Sequence, residues 1–269
     1  MHAPRMFATA ALIAALTLVA CAPGTATPTQ TPTPSGSGAS SSPTPSQSIS
    51  ASPSGDKTEP GAPGTTRAIT VDRPGAGETV RVPFTVSGTA DVFEAALTID
   101  AVDESGLAAC VRHLTATSGS GTRGTWEGSL AFPPEEDPLN LTLRAYTFSP
   151  EDGSMADLVE FPITASPERP DIILTNPRCG DVYNPGGLIL LTGTAAVFEA
   201  AFSVDVRDSR GIVLTVPVMA DECCVESPFS SGLTLPPNLP AGFYDIAAYS
   251  ISAKDSTNEN EFTVQIEVR

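Results

Sequence analysis

The sequence predicts an all-β chain in which two tandem sandwiches follow an unstructured stalk. Three observations carry that prediction. The stretch Gly88-Thr89-Ala90-Asp91-Val92-Phe93-Glu94-Ala95-Ala96 returns as Gly193-Thr194-Ala195-Ala196-Val197-Phe198-Glu199-Ala200-Ala201, an offset of 193 − 88 = 105 residues. A repeat of that period means two copies of one folding unit. Short alternating apolar segments are separated by turn signals, and no segment sustains a helical period. Ala22 to Thr66 is almost wholly Ser, Thr, Pro, Gly and Ala, with only Asp56, Lys57 and Glu59 charged. Such a segment buries too little apolar surface to offset its ordering entropy.

The chain opens with Arg5 and an apolar run from Phe7 to Ala20, too short to span a bilayer but suited to an export signal. It ends in Leu18-Val19-Ala20-Cys21, which resembles the lipobox of bacterial lipoproteins. The resemblance implies cleavage before Cys21 and a diacylglyceryl group on its sulfur, whose acyl chains would anchor the protein to a membrane. The expected parts are therefore a signal peptide (1–20), a lipidated cysteine with a disordered linker (21–67), and two folded domains (68–166 and 171–269). The expected location is the extracytoplasmic face of the cell membrane. Extended as polyproline II, the linker reaches roughly 140 Å at about 3.1 Å per residue.

Each unit reads as seven strands, the first set near 69–73, 80–87, 92–102, 107–117, 125–132, 139–148 and 156–165. Seven short strands in about 100 residues is the pattern of an immunoglobulin-like sandwich. Alternation places Phe93, Ala95, Leu97 and Ile99 in one core, and Phe198, Ala200, Phe202 and Val204 in the other. Leu141, Leu143 and Ala145 match Tyr244, Ile246 and Ala248, while Trp126 matches Phe229 and Leu130 matches Leu233. The opposite face then carries Glu94, Thr98, Asp100 and Tyr146 in the first unit. Its counterpart carries Glu199, Ser203, Asp205 and Tyr249. Exposed tyrosines bury area at small entropic cost, so Glu94, Asp100, Tyr146, Glu199, Asp205 and Tyr249 form a candidate binding face. The alternative is that the tyrosines are structural, through a corner-type bond to the backbone, and that Glu94 and Glu199 are merely solvated.

The run Gly-x-Ala-x-Val-Phe-Glu-Ala, at Gly88 to Ala95 and Gly193 to Ala200, follows Pro74 and Pro177 and precedes Ala145-Tyr146-Thr147 and Ala248-Tyr249-Ser250. In these features the chain resembles the immunoglobulin-like domain of bacterial spore germination, a domain often found beside GerM domains. The resemblance implies extracytoplasmic Ig-like modules and carries no catalytic residues over to this sequence.

Acidic residues outnumber basic ones by 31 to 14, for a net charge of −17, which argues against a nucleic-acid partner. His113 is the only histidine beyond the expected signal peptide. Its Cys110-x-x-His113 spacing puts the two side chains on opposite faces of a strand, against a shared metal. Aligned with Val218, His113 reads as a residue at the inner end of a core strand, and Cys110, aligned with Thr215, reads as one on the face away from the core. Asp100, Asp103 and Glu104, with Asp205 and Asp208, could gather calcium, but aspartate also favours turns in its own right. No cofactor or metal is expected. With Cys21 lipidated, Cys110, Cys179, Cys223 and Cys224 remain. Export favours their oxidation, and four cysteines allow three pairings. A bond between neighbours Cys223 and Cys224 strains the intervening peptide. Discarding it leaves two pairings, each joining Cys110 to one of the neighbours and Cys179 to the other. A fully oxidised chain then has a bridge between its units. The rival reading leaves Cys110 and one neighbour free, or pairs Cys110 between molecules. The function expected is non-enzymatic: an envelope binding or scaffolding module for a protein or polymer partner. The alternatives are a mechanical spacer and a thiol- or metal-dependent enzyme.

Overall fold

The computed structural model describes residues 67–269. The expected signal peptide, Cys21 and nearly all of the linker lie outside the described residues. In the first domain the strands are β1 (Ile69–Arg73), β2 (Thr79–Val80), β3 (Phe84–Ala90), β4 (Ala96–Val102), β5 (Ala108–Thr115), β6 (Gly124–Leu130), β7 (Leu139–Phe148) and β8 (Met155–Ala165). They form a three-stranded sheet, β1-β3-β6, and a five-stranded sheet, β2-β8-β7-β4-β5. The second domain repeats this with β9 (Ile172–Asn176), β10 (Val182–Tyr183), β11 (Leu188–Ala195), β12 (Ala201–Asp208), β13 (Gly211–Met219), β14 (Ser227–Thr234), β15 (Gly242–Ile251) and β16 (Asn258–Val268). Its sheets run β14-β11-β9 and β10-β16-β15-β12-β13. Each domain has eight strands where the sequence predicts seven. The expected strand over 80–87 is two strands in different sheets: β2 pairs in parallel with β8, and β3 pairs with β1 and β6. Pro83 lies between them and cannot donate to a ladder, which suits a change of sheet.

The core follows the expected alternation from Leu97 onward. Leu97, Ile99, Leu141, Leu143, Ala145, Trp126 and Leu130 are buried, as are Phe202, Val204, Tyr244, Ile246, Ala248, Phe229 and Leu233. Phe93 and Phe198 are corrections: they are 68% and 71% exposed. The strand expected over 92–102 starts only at Ala96, because Phe93–Ala95 is a 3₁₀ turn, as is Phe198–Ala200. Glu94 and Ala95 have φ of 54° and 57°, and Glu199 and Ala200 have 58° and 56°. That left-handed excursion swings the phenylalanine outward while keeping Ala95 and Ala200 buried.

The glycine of the repeat has a packing cause. A Cβ on Gly88 would lie 1.9 Å from the Thr70 carbonyl oxygen and 2.8 Å from the Trp126 ring. On Gly193 it would meet the Ile173 carbonyl oxygen and the Phe229 ring at the same two distances. The central strand of the smaller sheet must therefore be bare where its neighbour and the core aromatic close on it.

The two domains meet along the edge strand β5. Cys110 is bonded to Cys179, so the bridge crosses between domains. Crossing is as expected for a fully oxidised chain, but the partner is a correction: Cys110 and Cys179 are joined to each other. The elimination fails because Cys223 and Cys224 are left as free thiols, so nothing forces them into the two long-range pairs. The expected face of Cys110 is also corrected. The β4–β5 turn spans Asp103 to Leu107 and the β12–β13 turn only Ser209 and Arg210, with a bulge in each hairpin. Asp100 is opposite Val111 and Asp205 opposite Thr215, so Thr215 corresponds to Val111 and not to Cys110. Cys110 pairs with core-facing Ala101 and is itself buried. By the same shift His113, opposite Thr98, lies on the outer face and not at the end of a core strand.

Around the bridge, Arg112 Nη2 donates to Asp245 at 2.6 Å. The Gln265 side chain accepts from the His113 backbone N–H at 2.7 Å and donates to the His113 carbonyl at 3.1 Å. One amide thus pairs both free polar groups of an edge-strand residue, as an added strand would. The short connector between β8 and β9 is tied to both domains, Glu168 to Arg81 of the first and Arg169 to Glu226 of the second.

Candidate functional site

Four of the six residues of the expected binding face are buried. Asp100 is 3% exposed and Asp205 fully buried, and Tyr146 and Tyr249 are also buried. They lie on the outer face of the larger sheet, as alternation requires, but charged and aromatic neighbours cover them. Arg144, opposite Asp100 on β7, grips its carboxylate through two bonds of 2.7 and 2.6 Å. Tyr146 donates to the same carboxylate at 3.1 Å. Burial, then the charge of Asp100, pushes the Tyr146 phenol up to about 12.

The second domain builds the same knot from different strands. Arg144 has its structural counterpart in Ala247, which faces Asp205. The guanidinium comes instead from Arg207, two residues along β12, at 3.0 and 3.1 Å from Asp205. Thr215 donates to Asp205 at 2.7 Å and Tyr249 at 3.3 Å. Preserving a buried carboxylate with its tyrosine while relocating the arginine argues that these residues fasten the sheet. Of the expected face, only Glu94 and Glu199 stay exposed, on the two 3₁₀ turns. Asp103 serves its own turn, accepting from the Ser105 and Leu107 backbones and the Ser105 hydroxyl, which holds its carboxyl below the usual value.

The concave surface lies elsewhere. Where the end of the second domain meets the outer face of the first, a cleft of about 1200 Å³ opens. Phe93, Phe148 and Phe243 line it, and all three rings are exposed. The His113 ring stacks on Phe243 with centroids 4.1 Å apart, and its Nδ1 is 3.0 Å from the Thr98 hydroxyl. Burial pushes the His113 pKa down, opposed by the nearby charge of Glu267. Arg112, Arg207, Arg210, Asp157, Asp208 and Asp245 supply both signs of charge around the rings. Apolar faces with a few converging polar groups are the general composition of binding concavities. Sequence reasoning missed Phe148, Phe243 and His113 here because the cleft exists only once the domains dock. The available signal was that Phe148 and Phe243 lie at strand ends beyond the alternating core run.

The fold and its cross-domain fastening define a tandem immunoglobulin-like module, a class of fold that is generally non-catalytic. The chain belongs to the family described as the immunoglobulin-like domain of bacterial spore germination, whose model matches residues 68–154 and 171–257. A comparison with curated proteins finds no match. Solved structures similar to the chain include the fibronectin(III)-like modules of CbhA from Clostridium thermocellum, at 17% identity and TM-score 0.24, covering 75% of this chain and 94% of that one. A tetra-tandem repeat from the extending region of a large adhesion protein shares 16% identity at TM-score 0.28, over 72% of this chain and 50% of that one. An engineered protein shares 14% identity at TM-score 0.29, over 40% of this chain. The chain spans 21% of that protein's length.

Proposed function

We propose that the protein is a membrane-anchored extracytoplasmic lipoprotein whose paired Ig-like domains form a non-catalytic binding or scaffolding module of the cell envelope. The observation that carries the reading is the cleft: docking of the two domains gathers Phe93, Phe148 and Phe243, exposed, on one concave surface. The partner is an envelope protein or polymer that lies along this cleft, its apolar groups on the rings and its polar groups on the flanking charges. The Cys110–Cys179 bridge supports an oxidising compartment outside the cytoplasm. The lipobox-like Leu18 to Cys21 supports tethering there, with the linker supplying reach. The family's description makes spore germination the first setting in which to look for the partner.

Two measurements test this. Cys21→Ser should move the protein from the membrane pellet to the soluble fraction; unchanged pelleting rejects the lipid anchor. Capture from detergent-solubilised envelope should retain a partner on the native protein and lose it on a Phe93→Ala/Phe148→Ala double variant. Retention by the double variant rejects the cleft, and capture of nothing by the native protein favours the mechanical spacer.

A further inference from the structure

With Cys110 and Cys179 bonded, Cys223 and Cys224 are the two free cysteines among the described residues, and both are exposed. They sit in the segment between β13 and β14, beside the Phe198–Ala200 turn. Their sulfur atoms are 2.7 Å apart, closer than unbonded sulfurs normally approach. Cys224 is held at φ 65°, where few side-chain-bearing residues go, and its N–H donates to the Val197 carbonyl at 3.1 Å. The first domain contains the same backbone device. Ser120 has φ 56°, and its N–H donates to the Val92 carbonyl at 2.9 Å. There the flanking residues are Gly119 and Gly121, so no side chain stands beside the serine hydroxyl. The positive φ and its hydrogen bond to the valine carbonyl therefore recur in both copies, and only the second places two thiols there.

We propose that Cys223 and Cys224 form a reversible dithiol–disulfide site at the end of the second domain, exchanging with low-molecular-weight disulfides of its compartment. The thiolate of one cysteine attacks a disulfide RSSR, forming a mixed disulfide and expelling RS⁻. The thiolate of its neighbour then attacks the protein sulfur of that mixed disulfide and expels the second RS⁻. The protein loses two protons and two electrons and gains one S–S bond, and RSSR is reduced to two thiols. The two sulfurs already lie 2.7 Å apart, so closing the bond needs little movement of either side chain. Hydrogen bonding to Cys224 raises the Cys223 thiol above its ordinary pKa, so the exchange should quicken as pH rises.

The test uses the exported full-length protein in detergent, with oxidised glutathione as the disulfide and N-ethylmaleimide as the thiol label. The tryptic peptide from Gly211 to Lys254 carries both cysteines. After reduction it should take two labels. After oxidised glutathione it should take none, be lighter by two hydrogens and carry no glutathione, with the protein still monomeric. Mild dithiothreitol should restore both labels. In Cys224→Ser the remaining thiol should instead hold a stable glutathione adduct, because no neighbour resolves it. Two labels surviving oxidised glutathione, glutathione retained on both native cysteines, or disulfide-linked dimers would each overturn the proposal. So would loss of the adduct from Cys224→Ser.

Discussion

Asp205 shows how a single buried carboxylate can govern a sheet face. It is fully enclosed and receives Arg207, Thr215 and Tyr249. Asp205→Ala leaves Arg207 only its Glu261 partner and takes the acceptor from the Thr215 and Tyr249 hydroxyls, and should cost about 3 kcal/mol in urea unfolding. Tyr249→Phe removes one neutral donor and should cost about 1 kcal/mol. Phe93→Ala, by contrast, should cost less than about 1 kcal/mol, since the ring is solvent-exposed. Equal losses for Phe93→Ala and Asp205→Ala would contradict the placement of both. Tyr146 adds a pH signature. Its folded pKa is raised from 10.0 to about 12, so the folded state holds the proton more tightly than the unfolded one. The stability it contributes is complete below pH 10 and is lost as pH rises toward 12. Tyr146→Phe should flatten that alkaline decline. At this scale the sequence was a partial guide. Outward direction was legible from alternation, but exposure was not, because Arg144 and Arg207 cover their carboxylates from different strands.

At the scale of the element, the legible features were those with a local cause. The 105-residue repeat, the alternation from Leu97 and Phe202 onward, and the turn clusters all reappear as strands and loops. Two features escaped because their cause is not local. The 3₁₀ turns at Phe93 and Phe198 are written in residues that alternate like a strand, and the positive φ of Glu94, Ala95, Glu199 and Ala200 breaks the period. The one-residue shift between β5 and β13 comes from differing turns and bulges, which a constant offset conceals. The repeated glycine was visible in sequence, whereas its reason required the sheet. Gly193→Ala drives a methyl group into the Ile173 carbonyl and the Phe229 ring, and should destabilise by about 1–3 kcal/mol. Gly106, whose added Cβ meets nothing within 4 Å, is the comparison. Its positive φ alone should make Gly106→Ala the milder change. The reverse order would show that the β9–β11 approach is looser than described.

The whole molecule rests on the seam between domains. Burial depresses the His113 pKa below 6.5, so the unfolded chain binds more protons there than the folded one. Stability supplied by neutral His113 is present above pH 6.5 and is lost as pH falls through the depressed value. The urea midpoint should fall more between about pH 7.5 and about pH 5 for the native protein than for His113→Gln. Indistinguishable declines would remove His113 from the seam's pH response. None of this seam was legible beyond the existence of a cross-domain bridge, because Arg112, Gln265 and Phe243 gain their partners only when the domains meet. The seam also creates the cleft, so the functional reading stands on the bond that fastens it. A peptide map of the exported protein, digested without reduction after thiol blocking, addresses that bond directly. A disulfide-linked pair of peptides containing Cys110 and Cys179 is the expected result. An alkylated Cys110, or Cys110 linked to Cys223 or Cys224, would contradict it.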